Sequence, residues 1–74
     1  MANKRVRNLL TQAVPVEFVD DAQGNLALRM FSSRESLVMD EDRVSQNILD
    51  LVTAGYFSSA TTTDSPADGF GDFV

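Results

Sequence analysis

Cysteine and histidine are both absent from this 74-residue chain. Without them the chain can form no disulfide, zinc finger, iron–sulfur cluster or imidazole-held metal site. The Cys–His and Ser–His–Asp routes to an activated nucleophile are closed as well, and the side chain best suited to proton transfer near neutral pH is missing. The sequence therefore predicts a protein that is not an enzyme and carries no cofactor and no metal. Long apolar runs are missing too. No stretch approaches the roughly 18 apolar residues of a membrane span, and Met1-Ala2-Asn3-Lys4-Arg5 lacks the apolar segment that follows the charges of a signal peptide. The expectation is a soluble protein made in the cytoplasm, with no membrane partner. Positive charge is scarce, with 6 basic against 11 acidic residues and a net charge of −5, which repels a phosphate backbone and makes nucleic acid an unfavoured partner.

Length sets a further bound. A chain of this size forms one domain and buries only ~60% of the surface it exposes when unfolded. Below ~70–80 residues, natural folds usually recruit disulfides, a metal or partner subunits. With the first two excluded, the expected support is other proteins of an assembly or further copies of the same chain, with no small-molecule substrate.

What is present reads as strands followed by one helix. Lys4 to Leu10 has the β-branched and polar mixture of a short strand, and Val14, Val16 and Phe18 alternate with Pro15, Glu17 and Val19 in a second. Pro15 has no N–H for a ladder, so its strand is expected at an edge or in a register where no neighbour needs that donor. Asp20-Asp21-Ala22-Gln23-Gly24-Asn25 predicts a hairpin loop. The alternation of Leu26 to Phe31 predicts Leu26, Leu28 and Met30 inward, with Ala27, Arg29 and Phe31 outward. Ser36 to Met39 reads as a short strand. Val44, Ile48, Leu51 and Val52 fall at helical spacing, so a helix is expected near Asp42 to Ala54, capped by Asp40 or Asp42 and ended by Gly55. Tyr56-Phe57-Ser58 predicts a last strand beside the first two. The fold class is α+β: a small antiparallel sheet of three to five strands covered by one helix over residues 1–59, with an extended acidic C-terminal arm over residues 60–74.

The candidate contact residues lie at the two ends and on the third strand. A strand projects Arg5 and Arg7 on one face, suited to a solvated edge or an acidic neighbour, with Phe31 a possible stacking or contact group. Asp40-Glu41-Asp42 fits helix capping better than a cation site, because no alternating oxygen ligands, turn glycine or distal glutamate follow as a calcium loop requires. The ending Asp68-Gly69-Phe70-Gly71-Asp72-Phe73-Val74 alternates aromatics with carboxylates and glycines. Exposed in a polar tail, Phe70 and Phe73 are expected to anchor in apolar pockets of a partner.

The pattern Arg5-Val6-Arg7-Asn8-Leu9, Val14-Pro15-Val16, Leu26-Ala27-Leu28, Ser36-Leu37-Val38-Met39-Asp40-Glu41, Ile48-Leu49-Asp50-Leu51 and Ala54-Gly55-Tyr56-Phe57 resembles small structural proteins of tailed bacteriophages. That resemblance spans roughly residues 4–59. It implies a virion accessory protein of the capsid, collar or tail, located in the particle after synthesis in the host cytoplasm, whose C-terminal arm docks on a neighbouring subunit. A second class of reading is a small acidic binding module that is regulatory or imitates DNA. The ending Asp72-Phe73-Val74 is also similar to the acidic, phenylalanine-bearing tails of single-stranded-DNA-binding proteins, but the chain is too short for their five-stranded barrel.

Overall fold

Asp21 sets the hairpin that positions everything around it. Its carboxylate accepts from the Gln23 and Asn25 backbone N–H groups at 3.0 and 3.1 Å and from the Asn25 side chain at 2.8 Å, while Gly24 takes φ +88°. These bonds hold the carboxyl below its usual range, the Asn25 side chain contributing most. Asp20 N–H donates to Asn25 C=O at 2.7 Å, which locks Val19 opposite Leu26 and Val14 opposite Phe31.

The computed structural model describes residues 2–73. In order, it forms β1 (Asn3–Asn8), β2 (Val14–Val19), β3 (Leu26–Phe31), β4 (Ser36–Asp40), a 3-10 turn (Glu41–Arg43), α1 (Gln46–Thr53) and β5 (Phe57–Thr62). The architecture is α+β, and all strand pairing is antiparallel. The strands divide into two sheets, β4-β1-β5 and the β2-β3 hairpin, and α1 packs on β2 and β5. The last strand lies beside β1 alone and extends through Thr62, past the residue 59 boundary expected from composition. β1 is the central strand of its sheet and not a solvated edge.

Hairpin register decides which side of β3 is buried. With Val14, Val16 and Phe18 facing the core, their partners Phe31, Arg29 and Ala27 must face it too, because a one-residue shift would turn the whole strand over. Phe31 is 1% exposed and meets Phe57 edge-on at 5.4 Å, whereas Leu26, Leu28 and Met30 are 52%, 70% and 55% exposed. This reverses the face expected from alternation, which was ambiguous because both sides of β3 carry apolar residues. Val6, Val16, Phe31, Met39, Ile48 and Phe57 form the core between the two sheets and the helix.

The helix starts later than its apolar spacing suggests. Asp40 caps the 3-10 turn by accepting from Asp42 N–H at 2.8 Å, while Ser45 caps α1 by accepting from Ile48 N–H at 3.2 Å. The hydroxyl of Ser45 also donates to Glu17 C=O, so one side chain fixes the helix start and ties it to β2. Gly55 closes the helix at φ +86°, as expected.

Candidate protein-binding edge

Two small sheets present four outer edges, and an exposed strand edge is a template for pairing with another chain. Three of the four are sealed or polar. Along β4, Asp40 N–H donates to Phe70 C=O at 2.8 Å and Ala67 N–H donates to Val38 C=O at 2.9 Å, so the segment after β5 covers that strand. Along β2, Glu17 N–H donates to the Asn47 side chain at 2.9 Å, Ser45 reaches Glu17 C=O, and Arg43 Nη1 reaches Val19 C=O at 3.1 Å. Pro15 completes that edge without an N–H. The edge of β5 has no backbone partner among the described residues, but it offers Ser59 and Thr61.

The edge of β3 differs. Backbone hydrogen bonds alternate along an antiparallel pair. Since Asp20 and Asn25 form a bonded pair, Val19–Leu26, Glu17–Leu28 and Pro15–Met30 are the pairs whose N–H and C=O groups point away from each other. The outward direction of Glu17 N–H and Val19 C=O, already engaged by Asn47 and Arg43, agrees with that phase. Leu26, Leu28 and Met30 therefore direct their backbone groups away from β2, and among the described residues no backbone group meets them. Arg29 Nη1 donates to Met30 C=O at 2.8 Å. The same three residues carry the exposed side chains, and Pro15 and Val19 flank them on β2 to make one apolar face interrupted by Glu17. Scattered exposed leucines need no explanation, but a contiguous stripe beside an open edge is a candidate for contact with another chain.

The five residues singled out from sequence do not come together. Arg5 and Arg7 project from the outer face of the three-stranded sheet, and Arg5 is ion-paired with Asp64. Phe31 lies in the core, so it is neither a stacking group beside those arginines nor a surface contact. Phe70 is only 8% exposed and packs on Phe18 at 4.7 Å, so it anchors in the chain's own core and not in a partner's pocket. Phe73 is half-buried, with the Arg43 guanidinium 4.6 Å above its ring. Sequence reasoning overlooked Leu26, Leu28 and Met30 as surface residues. Pro15 signals the outward phase of β2, and the loop-set register opposite Met30 carries that phase to β3.

Arg43 and Asn8 hold the ends of the two sheets together. Arg43 is buried, and its guanidinium donates to Gly71 C=O at 2.7 Å, Asp20 C=O at 2.9 Å and Val19 C=O at 3.1 Å. Asn8 is fully buried, its amide donating to the carbonyls of Gln12, Phe31 and Ser32 at 2.9, 3.4 and 3.1 Å while its oxygen accepts from Leu10 N–H. A second carboxylate contact involves the segment on β4. Asp72 is held above its usual range, chiefly by sharing a hydrogen bond with Asp40, and Asp40 is held below its own by that bond and then by Asp42 N–H. An open cleft of about 390 Å³ lies between Lys4, Glu41, Asp42, Val44, Leu49 and Ser59. No group of acidic side chains suited to a metal ion occurs among the described residues.

Comparison with known proteins finds no matching family model, curated protein or solved structure.

Proposed function

We propose that this chain is a non-enzymatic structural module of a bacteriophage virion that acts through protein–protein contacts on the outer face and free edge of β3. The observation that carries the reading is the exposure of Leu26, Leu28 and Met30 along an edge whose outward groups no described backbone group meets. An added strand satisfies those groups, while pockets for the alternate side chains supply specificity. The virion setting rests on the resemblance in hydrophobic spacing over residues 4–59, and a protein without nucleophile-activating chemistry suits a purely architectural place. The half-buried Phe73 is the aromatic of the C-terminal segment that remains accessible for a secondary contact with a neighbouring subunit.

Leu28→Lys tests the reading. The position is largely solvated, so the fold should tolerate the change to within about 0.5 kcal/mol in a denaturant melt. Copies of the variant in purified particles, counted by mass spectrometry, should fall by about tenfold or more, as expected when a charge enters an apolar contact. Undiminished incorporation would remove β3 from the mechanism. Salt separates this reading from an acidic DNA mimic: an apolar contact should weaken little between low and moderate salt, while a mimic should lose its basic partner steeply.

A further inference from the structure

The geometry points to a second copy of this chain as an occupant of the β3 edge, paired antiparallel about a two-fold axis at Leu28. The inference rests on the proposed assembly role and adds its partner and register. A strand that pairs with itself must be complementary to its own reverse, and β3 is. With Leu28 opposite Leu28, Leu26 falls opposite Met30, Ala27 opposite Arg29, and Met30 opposite Leu26. Every apolar residue of the exposed stripe then meets another, and the one charge on the strand meets alanine instead of its own like. Shifting the axis by one residue to Arg29 would place two guanidinium groups directly across from each other, which is unfavourable.

The hydrogen-bonding phase selects the same axis. Leu26, Leu28 and Met30 are the residues whose N–H and C=O groups point off the edge, and only pairing centred on Leu28 sets all of these residues against one another. The result is about six interchain bonds in the alternating pattern of an antiparallel ladder. Met30 C=O, already reached by Arg29, retains a second lone pair for the ladder. The product is a continuous four-stranded sheet, β2-β3 followed by the second copy's β3-β2. Its outer face joins the two Leu-Leu-Met stripes. One ladder of this length buries less than the ~1,000 Å² of a stable interface. The dimer is accordingly weak and concentration-dependent, as suits a repeated contact in which many sites act together.

The absence of cysteine makes the register directly testable. Bonded partners in an antiparallel ladder have Cα atoms ~5.5 Å apart, within the range a disulfide spans. The intact chain carrying Leu28→Cys alone should oxidise to a covalent dimer, whereas Leu26→Cys alone, facing Met30, should do so about tenfold more slowly. Joining Leu26→Cys with Met30→Cys should restore rapid cross-linking. Circular dichroism of each reduced variant checks that the fold is kept. Equal rates for the two single variants, or a wild-type chain that sediments as a monomer up to millimolar concentration, would overturn the two-copy pairing. If that pairing fails while Leu28→Lys still blocks entry into particles, a strand of a different protein occupies the edge and the assembly role stands. If Leu28→Lys enters particles normally, the assembly role itself fails.

Discussion

Arg43 shows how much of this small protein depends on single polar side chains. Its guanidinium satisfies carbonyls at the end of β2 and in the C-terminal segment, and it stacks on Phe73. Replacing it with leucine keeps the apolar stem but leaves three partly buried carbonyls without donors, so Arg43→Leu should cost about 2–4 kcal/mol in a urea melt. Arg43→Lys should recover part of that, since an ammonium donates to fewer of these groups at once. None of this was legible in the sequence, where Arg43 reads as a charge in the first turn of a helix. Phe31 was misread for a related reason: alternation defines two faces of a strand but not which one is inside. The choice was made by the partner strand and the Asp21 loop.

Among the elements, the five strands, the hairpin loop and the helix-ending glycine were all visible in local pattern, because each depends on side-chain period or backbone freedom. The start of α1 was not. Three carboxylates at Asp40, Glu41 and Asp42 signal a cap, yet they serve the 3-10 turn, and the cap of α1 is Ser45. With only Gln46–Thr53 in the helix, that cap matters more than in a long one. Ser45→Ala loses both the Ile48 N–H bond and the bond to Glu17 C=O, and should lower stability by about 1–2 kcal/mol. Hydrogen exchange should show the loss first at the Ile48 amide, which loses its acceptor, and then at the Glu17 amide, whose own acceptor Asn47 lies in the first turn of the same helix. Unchanged protection at both would mean that the helix is held by Ile48 packing alone.

For the whole molecule, the segment after β5 belongs to the body. An acidic stretch with two glycines and a proline looks like a free tail, and it was expected to reach a neighbour. Phe70 instead fills a place beside Phe18, and the backbone around it seals β4. Composition could not reveal this, because the vacancy it fills exists only after both sheets have assembled. Its docking should depend on pH through the Asp40–Asp72 pair. Asp72 is raised chiefly by its hydrogen bond with the Asp40 side chain, so its contribution is complete below its unfolded value and is lost as pH rises through the folded one. Asp40 is lowered, so its contribution is present above its unfolded value and is lost as pH falls through the folded one. Asp72→Asn keeps a donor for Asp40 and removes the repulsion that appears once both groups ionise. The Asp40 amide, bonded to Phe70 C=O, should then exchange more slowly at neutral pH than in the wild type. Equal exchange in the two proteins would separate the carboxylate pair from docking.

The central place of β1 also governs how the chain comes off the ribosome. β1 needs two neighbours, and neither exists until β4 and then β5 have been synthesised after it. Such distant pairing is slow to form and leaves an emerging strand open to stray association. Lys4, Arg5 and Arg7 place three like charges on that strand, the kind of residue that opposes aggregation of a strand left waiting for its neighbours.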